Sequence, residues 1–173
     1  MAKGSTKSNK NVYQTTREGL GLTREHASEL LEGISAERIE RIESERYTPY
    51  PEEIMIMAEK YRAPHLCNYY CAHECAIGRQ YVPEIKIKDL SQIVLEMLAS
   101  LNSMHKKRDR LIEIAADGEI TTDEIEDFIF IQEELERISI TVDTLQLWAE
   151  RMLASGVIDV SKYEELKNKF FIL

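Results

Sequence analysis

The stretch "GLTREHASELLEGISAERIERIESE", Gly21 to Glu45, decides how the N-terminal half is read. Thr23 is placed to cap a helix whose inner face carries Ala27, Leu30 and Leu31, and Gly33 closes it. Ser35 is placed to cap a second helix with Ile39 and Ile42 one turn apart on its inner side. Two short helices joined by a tight turn are expected, the arrangement that sets a helix into a DNA groove. The second is acidic: from Ser35 to Glu45 there are four glutamates and two arginines, so contact with nucleic acid must come from a few well-placed groups.

Working outward, short helical clusters run from Val12 to about Arg62. Pro49 and Pro51 break the chain, and Pro51 with Glu52 and Glu53 makes a favourable first turn for a helix with Ile54, Met55, Ala58 and Tyr61 available for burial. Pro64 ends it, and with one helix before Gly19 and one after Pro64 the count is five. Ahead of them, residues 1–10 with Lys3, Lys7 and Lys10 read as a flexible basic arm.

"GLTREHASELL" followed by "GISAERIERIESERYTPYPEEIMIMAEKY" resembles the helix-turn-helix of lambda-repressor-like (Xre family) transcriptional regulators, through Leu22-Thr23, Ile34-Ser35, Ile39, Ile42-Glu43 and Pro49. The likeness covers roughly residues 11–71. It implies a five-helix domain that binds operator DNA, usually as a dimer. By position it places Ser35, Ala36, Glu37 and Arg38 at the leading end of a recognition helix with Arg41 one turn on, and Thr23, Arg24 and Arg46 near phosphates. Arginine reads guanine in bidentate fashion and glutamate accepts from the cytosine amino group, so such a helix has a small vocabulary. Glu43 matches a family position that packs back on the domain.

Between Pro64 and Pro83 lie all three cysteines, Cys67, Cys71 and Cys75, spaced four and four, with His73 among them. Three thiolates and an imidazole could hold zinc, and three cysteines an iron–sulfur cluster. Neither familiar spacing is present, and the preferred reading is that Cys67 and Cys71 are small packing residues beside Leu66 and Tyr70, with no cofactor. An odd number of cysteines argues against a disulfide framework.

The remainder reads as long helix. Leu90, Val94, Met97, Leu101, Met104, Arg108 and Leu111 step by four and three, as do Phe128, Ile131, Leu135, Ile138, Val142, Leu145, Ala149 and Met152. Two such seams around "DGEITTDE" predict an antiparallel hairpin, followed by a short helix from about Ser161 to Phe170. That turn matches the second half of an EF-hand loop, but Glu113 and Ala115 stand where earlier calcium ligands belong. A plain connection is expected instead, with Gly118 ending one helix and Glu124 reaching back to Thr121 or Thr122. Apolar residues off the seams, among them Ile93, Leu98, Ile129 and Leu147, need a cover: the last helix or a second chain.

The expected architecture is therefore all-α, with a helix-turn-helix domain over residues 11–79 whose last helix carries the cysteines, and a hairpin over 80–173 that dimerises or docks a partner. Lys plus Arg balance Asp plus Glu at 10 against 11 over residues 1–62 but fall to 11 against 19 over 80–173, so only the first half suits double-stranded DNA. Membrane spans and a signal peptide are not expected, which points to the cytoplasm. Without a phosphate-cradling glycine loop or strand alternation, and with His26 and His105 isolated, catalysis is not expected. The alternative function is an adaptor whose helix-turn-helix touches protein, with metal or redox sensing at the cysteines.

Overall fold

Thr23 and Ser35, read from the sequence as caps, start two of the helices, and Asn11, which that reading did not single out, starts the first. In this computed structural model, which describes residues 10–116 and 118–170, α1 (Val12–Gly19) begins where the Asn11 side chain accepts the Gln14 amide at 3.0 Å. The Thr23 hydroxyl accepts the His26 amide at 3.2 Å to open α2 (Arg24–Leu31), and the Ser35 hydroxyl accepts the Arg38 amide at 3.1 Å to open α3 (Ala36–Glu43). Between them the chain reverses through Glu32 at φ 42° and Gly33 at φ 132°. The first is tolerable for a side chain; the second is a place for glycine. Pro51 opens α4 (Pro51–Lys60), while the Glu53 carboxylate accepts the Tyr50 amide at 2.7 Å. Two further helices, α5 (His65–His73) and the short α6 (Gly78–Tyr81), complete this run.

One apolar core joins these helices: Tyr13 of α1, Ala27 and Leu31 of α2, Ile34 in the turn, Ile39 and Ile42 of α3, Ile54, Met57 and Ala58 of α4, then Tyr61, Ala63 and Leu66. Each fully buried Leu or Ile contributes about 1.5–3 kcal/mol of transfer free energy. Two residues expected inward lie outside it, Leu30 at 38% exposure and Met55 at 65%. Both sit about 100° around their helices from the true inner line, Ala27–Leu31 in α2 and Ile54–Met57–Ala58 in α4.

The chain divides into two compact units, one over Met1–Glu84 and Glu150–Leu173, the other over Ile85–Ala149. The end of the chain, including α9 (Val160–Phe170), thus belongs with the N-terminal unit, whereas the sequence placed all of residues 80–173 together. Lys3, Lys7 and the final "FIL" lie outside the described residues; Lys10 pairs with Glu18 at 2.6 Å. Among the described residues there is no strand, and no helix is long and apolar enough to cross a membrane.

The second unit holds the expected helical pair, α7 (Leu90–Ala115) packed with α8 (Ile125–Ala154), the latter as far as Ala149. Lys107 and Arg110 of α7 both reach Asp127 of α8, at 2.7 and 2.9 Å, which sets the helices antiparallel. The turn is a plain one: Gly118 at φ 74° leaves α7, and the Glu124 carboxylate accepts the Thr121 amide at 3.0 Å. Asp117 lies outside the described residues.

The seam itself is rotated from the expected one. In α7 the inward line is Ile93, Met97, Ser100, Met104, Lys107, Leu111 and Ile114, while Leu90, Val94 and Leu101 are 40–48% exposed. In α8, Ile131, an expected seam residue, is buried along with Glu134, Thr141, Thr144 and Leu147, while Phe128, Leu135 and Val142 are 37–51% exposed. The buried hydroxyls are satisfied within the helix, Thr141 donating to the Arg137 carbonyl at 2.8 Å and Thr144 to the Ile140 carbonyl at 2.6 Å. Glu134 pairs with Arg137 at 2.5 Å. Half of each heptad seam is thus left facing away from the sister helix.

Candidate nucleic-acid interface

The position of α3 is set by what it buries. Ile39 and Ile42, each 1% exposed, anchor it on the core. Glu43, also buried, lies between two guanidinium groups: Arg17 of α1 donates to it from Nε at 2.5 Å and Nη2 at 2.9 Å, and Arg24 of α2 donates at 2.8 Å. Arg17 also donates to the Leu22 carbonyl. This cluster ties three helices at one carboxylate, and removing one charge would strand the others out of water. Asn11 adds a bond from its carboxamide to the Ile42 carbonyl at 2.9 Å.

With its inner face so fixed, α3 leaves Ser35, Glu37 and Arg41 exposed and Ala36, Arg38 and Glu40 half-buried. Of these, Ser35, Ala36, Glu37, Arg38 and Arg41 are expected at a groove, and they do share one element. Their charges, however, are spoken for. Arg38 makes a two-pronged pair with Glu53 of α4 at 2.7 and 2.6 Å, its guanidinium 3.6 Å from the centre of the Tyr47 ring and 5.2 Å from that of Tyr50. Arg41 pairs with Glu37 one turn back at 2.6 Å, and Arg46 with Glu40 at 3.1 Å. Arg24 points at Glu43 instead of outward. Thr23 is a helix cap at the start of α2, with its hydroxyl on the His26 amide.

Arg38, expected at the leading end, is held sideways there by a carboxylate and two aromatic rings. The pair with Glu53 and the Tyr47 hydroxyl pushes the Arg38 pKa up, against its partial burial, and Arg38 in turn helps hold the Glu53 carboxyl low. Sequence reading missed this holder. Glu53 was visible as a first-turn acid of α4 and Tyr47 and Tyr50 as the aromatics flanking Pro49, but nothing in the spacing showed that they converge on α3.

At the other end of α3 a groove of about 230 Å³ opens between Asn11, Ile42, Glu45, Tyr47, Tyr69, His73 and Glu74. Tyr13 donates to Glu74 at 2.8 Å, and burial, with Glu45 adding to it, pushes the Glu74 carboxyl up. Two carboxylates make this end a poor seat for a phosphate.

The cysteines do not converge. Cys67, Cys71 and Cys75 are free and half-buried, Cys67 packing against the core beside Leu66 and Tyr70. His73 turns away to stack on Tyr69 and pair with Glu84 at 3.3 Å. Among the described residues no group of three or more His, Cys, Asp or Glu has the geometry to hold a metal ion, so the zinc and iron–sulfur alternatives find no assembled site. Burial, then Cys71 and Glu150, push the Cys67 thiol up, which makes it less reactive. The Cys75 sulfur accepts the Gly78 amide at 3.4 Å. No family model, no curated protein and no solved structure matches the chain.

Proposed function

We propose that the protein is a sequence-specific DNA-binding transcriptional regulator of the lambda-repressor-like kind, acting as a dimer, with α3 as the helix that enters the major groove. The observation that carries this reading is the placement of α3. It is capped by Ser35, joined to α2 by a tight turn, pinned through Ile39, Ile42 and Glu43, and left with Ser35, Glu37 and Arg41 outward. Arg41 and Glu37 are then the groups that meet base edges, and the amides at the starts of α2 and α3 supply donors for phosphates.

Because each arginine of this face has a carboxylate partner in the free chain, binding exchanges one partner for another. That exchange costs affinity but adds discrimination, since a site that fails to take up the arginine leaves it with its glutamate. Affinity for random duplex should accordingly be low, and its dependence on salt shallow: each released counterion contributes about −0.9 to the slope, and few cations are available. The test is selection of bound duplexes from a random pool by the full chain, then Arg41→Ala on the selected sequence. Recovery of a two-fold symmetric sequence whose binding falls about 10-fold or more in the variant supports the reading. A pool that stays random rejects it.

A second reading has a specific observation behind it. The pairing of Arg24, Arg38, Arg41 and Arg46 with glutamates makes the face nearly neutral, which suits contact with protein as an adaptor. It predicts no enrichment in the same selection.

A further inference from the structure

The heptad residues that the hairpin leaves exposed fall on one side of it. Along α7, Leu90, Val94 and Leu101 are 40–48% exposed and lie roughly 100° around the helix from the inward line through Ile93, Ser100 and Lys107. Along α8, Phe128, Leu135 and Val142 are 37–51% exposed and lie about as far, in the same rotational sense, from the line through Glu134 and Thr141. The two helices are right-handed and run in opposite directions, so equal rotations along each chain bring both stripes to the same side. The pairs Lys107–Asp127 and Arg110–Glu124 fix the register, which sets Leu101 nearly level with Leu135 and Val94 nearly level with Val142.

The complete heptad seams therefore point neither at the sister helix nor straight outward. They point between the two, which is where a four-helix bundle has its axis and its a/d-type residues. What the sister helix meets instead is a mixed line with Ser100, Lys107, Glu134, Thr141 and Thr144 in it.

We infer that this face is covered by a second copy of the same chain, two hairpins closing into a four-helix bundle around Val94, Leu101, Leu135 and Val142. The stripe is antiparallel within one hairpin, so a two-fold axis through it is self-complementary and every layer meets a like layer. The area is adequate: six half-exposed large side chains at ~80 Å² each give on the order of 500 Å² per copy. Flanking polar residues bring that near the ~800 Å² per partner of a stable interface. Arg108, the one charged seam position in α7, falls nearly level with Phe128 and favours one register over its neighbours. This inference rests on the dimeric part of the proposed function and is independent of whether α3 touches DNA.

Sedimentation of the full chain, with thermal melts at several concentrations, tests it. The wild type should sediment at twice its 20.1 kDa mass, with a midpoint that rises with concentration. Leu101→Glu with Leu135→Glu should raise the dimer dissociation constant ~100-fold or more, while Leu95→Glu, a like change at 68% exposure about 100° further round α7 from Val94 and off the stripe, leaves the dimer intact. Should the double glutamate chain lose helical circular dichroism, Leu101→Ala with Leu135→Ala decides, since both positions are half-exposed in one hairpin: weaker dimers with full helicity support the face. A monomeric wild type overturns it, as does a dimer that ignores both double variants or one that Leu95→Glu dissociates. A monomer that still selects a single half-site would refute this face and spare α3, whereas a dimer that selects nothing would do the reverse.

Discussion

The side chains that matter most for placing α3 are charged and buried. Glu43 holds Arg17 and Arg24 at once, and Arg17 has almost no route to water. Glu43→Ala leaves that buried guanidinium with only Glu18, at 3.8 Å, and should cost about 3–5 kcal/mol, read as a lowered denaturant midpoint with an unchanged slope. Glu74 acts in the opposite direction. Its carboxyl is raised by burial and by Glu45, so the stability it contributes is complete below the unfolded-state pKa of about 4.3 and is lost as pH rises through the folded value. Glu74→Gln should therefore raise the melting temperature at pH 7, with the difference from wild type closing near pH 4. At Arg38 the expected change is in binding: Glu53→Gln frees the guanidinium, so affinity for random duplex should rise and its salt dependence steepen.

The caps at Thr23 and Ser35 were legible in the sequence, because Thr and Ser oxygens satisfy helix-end amides locally and need no knowledge of the rest of the chain. The core stripe of α3 was legible for the same reason, its partners lying one turn apart. Arg38 was not: its neighbours come from the Tyr47–Tyr50 connection and from α4, and a local pattern cannot report which of several nearby acids a long side chain will reach. The seam of the hairpin was read correctly as a heptad and wrongly as the line of contact between α7 and α8. A heptad fixes the direction of an apolar line on each helix, but the number of helices that share that line decides whether it points at one neighbour or at a common axis. The placement of α6 was equally hidden. A Cβ on Gly78 would stand 2.2 Å from the Cys71 carbonyl oxygen, a backbone atom that cannot swing away. Gly78→Ala should push α6 off α5, expose Cys71 and Cys75 to thiol reagents, and lower stability by about 1–3 kcal/mol.

At the level of the whole molecule, charge separates the two tasks. The N-terminal half is nearly balanced and the C-terminal half is acidic, so under the proposed function a duplex would meet α3 and binding strength would come from two copies acting together. On that proposal a single α3 with paired arginines would be a weak reader, and two on one symmetric site a usable one. The most direct measurement is titration of the full chain into a selected symmetric duplex, following affinity and stoichiometry together as salt is raised from about 50 to about 200 mM. Two chains per duplex, lost in Arg41→Ala and weakened by less than about 100-fold over that range, is the predicted result. No binding at the lowest salt, or binding that Arg41→Ala leaves untouched, would contradict it.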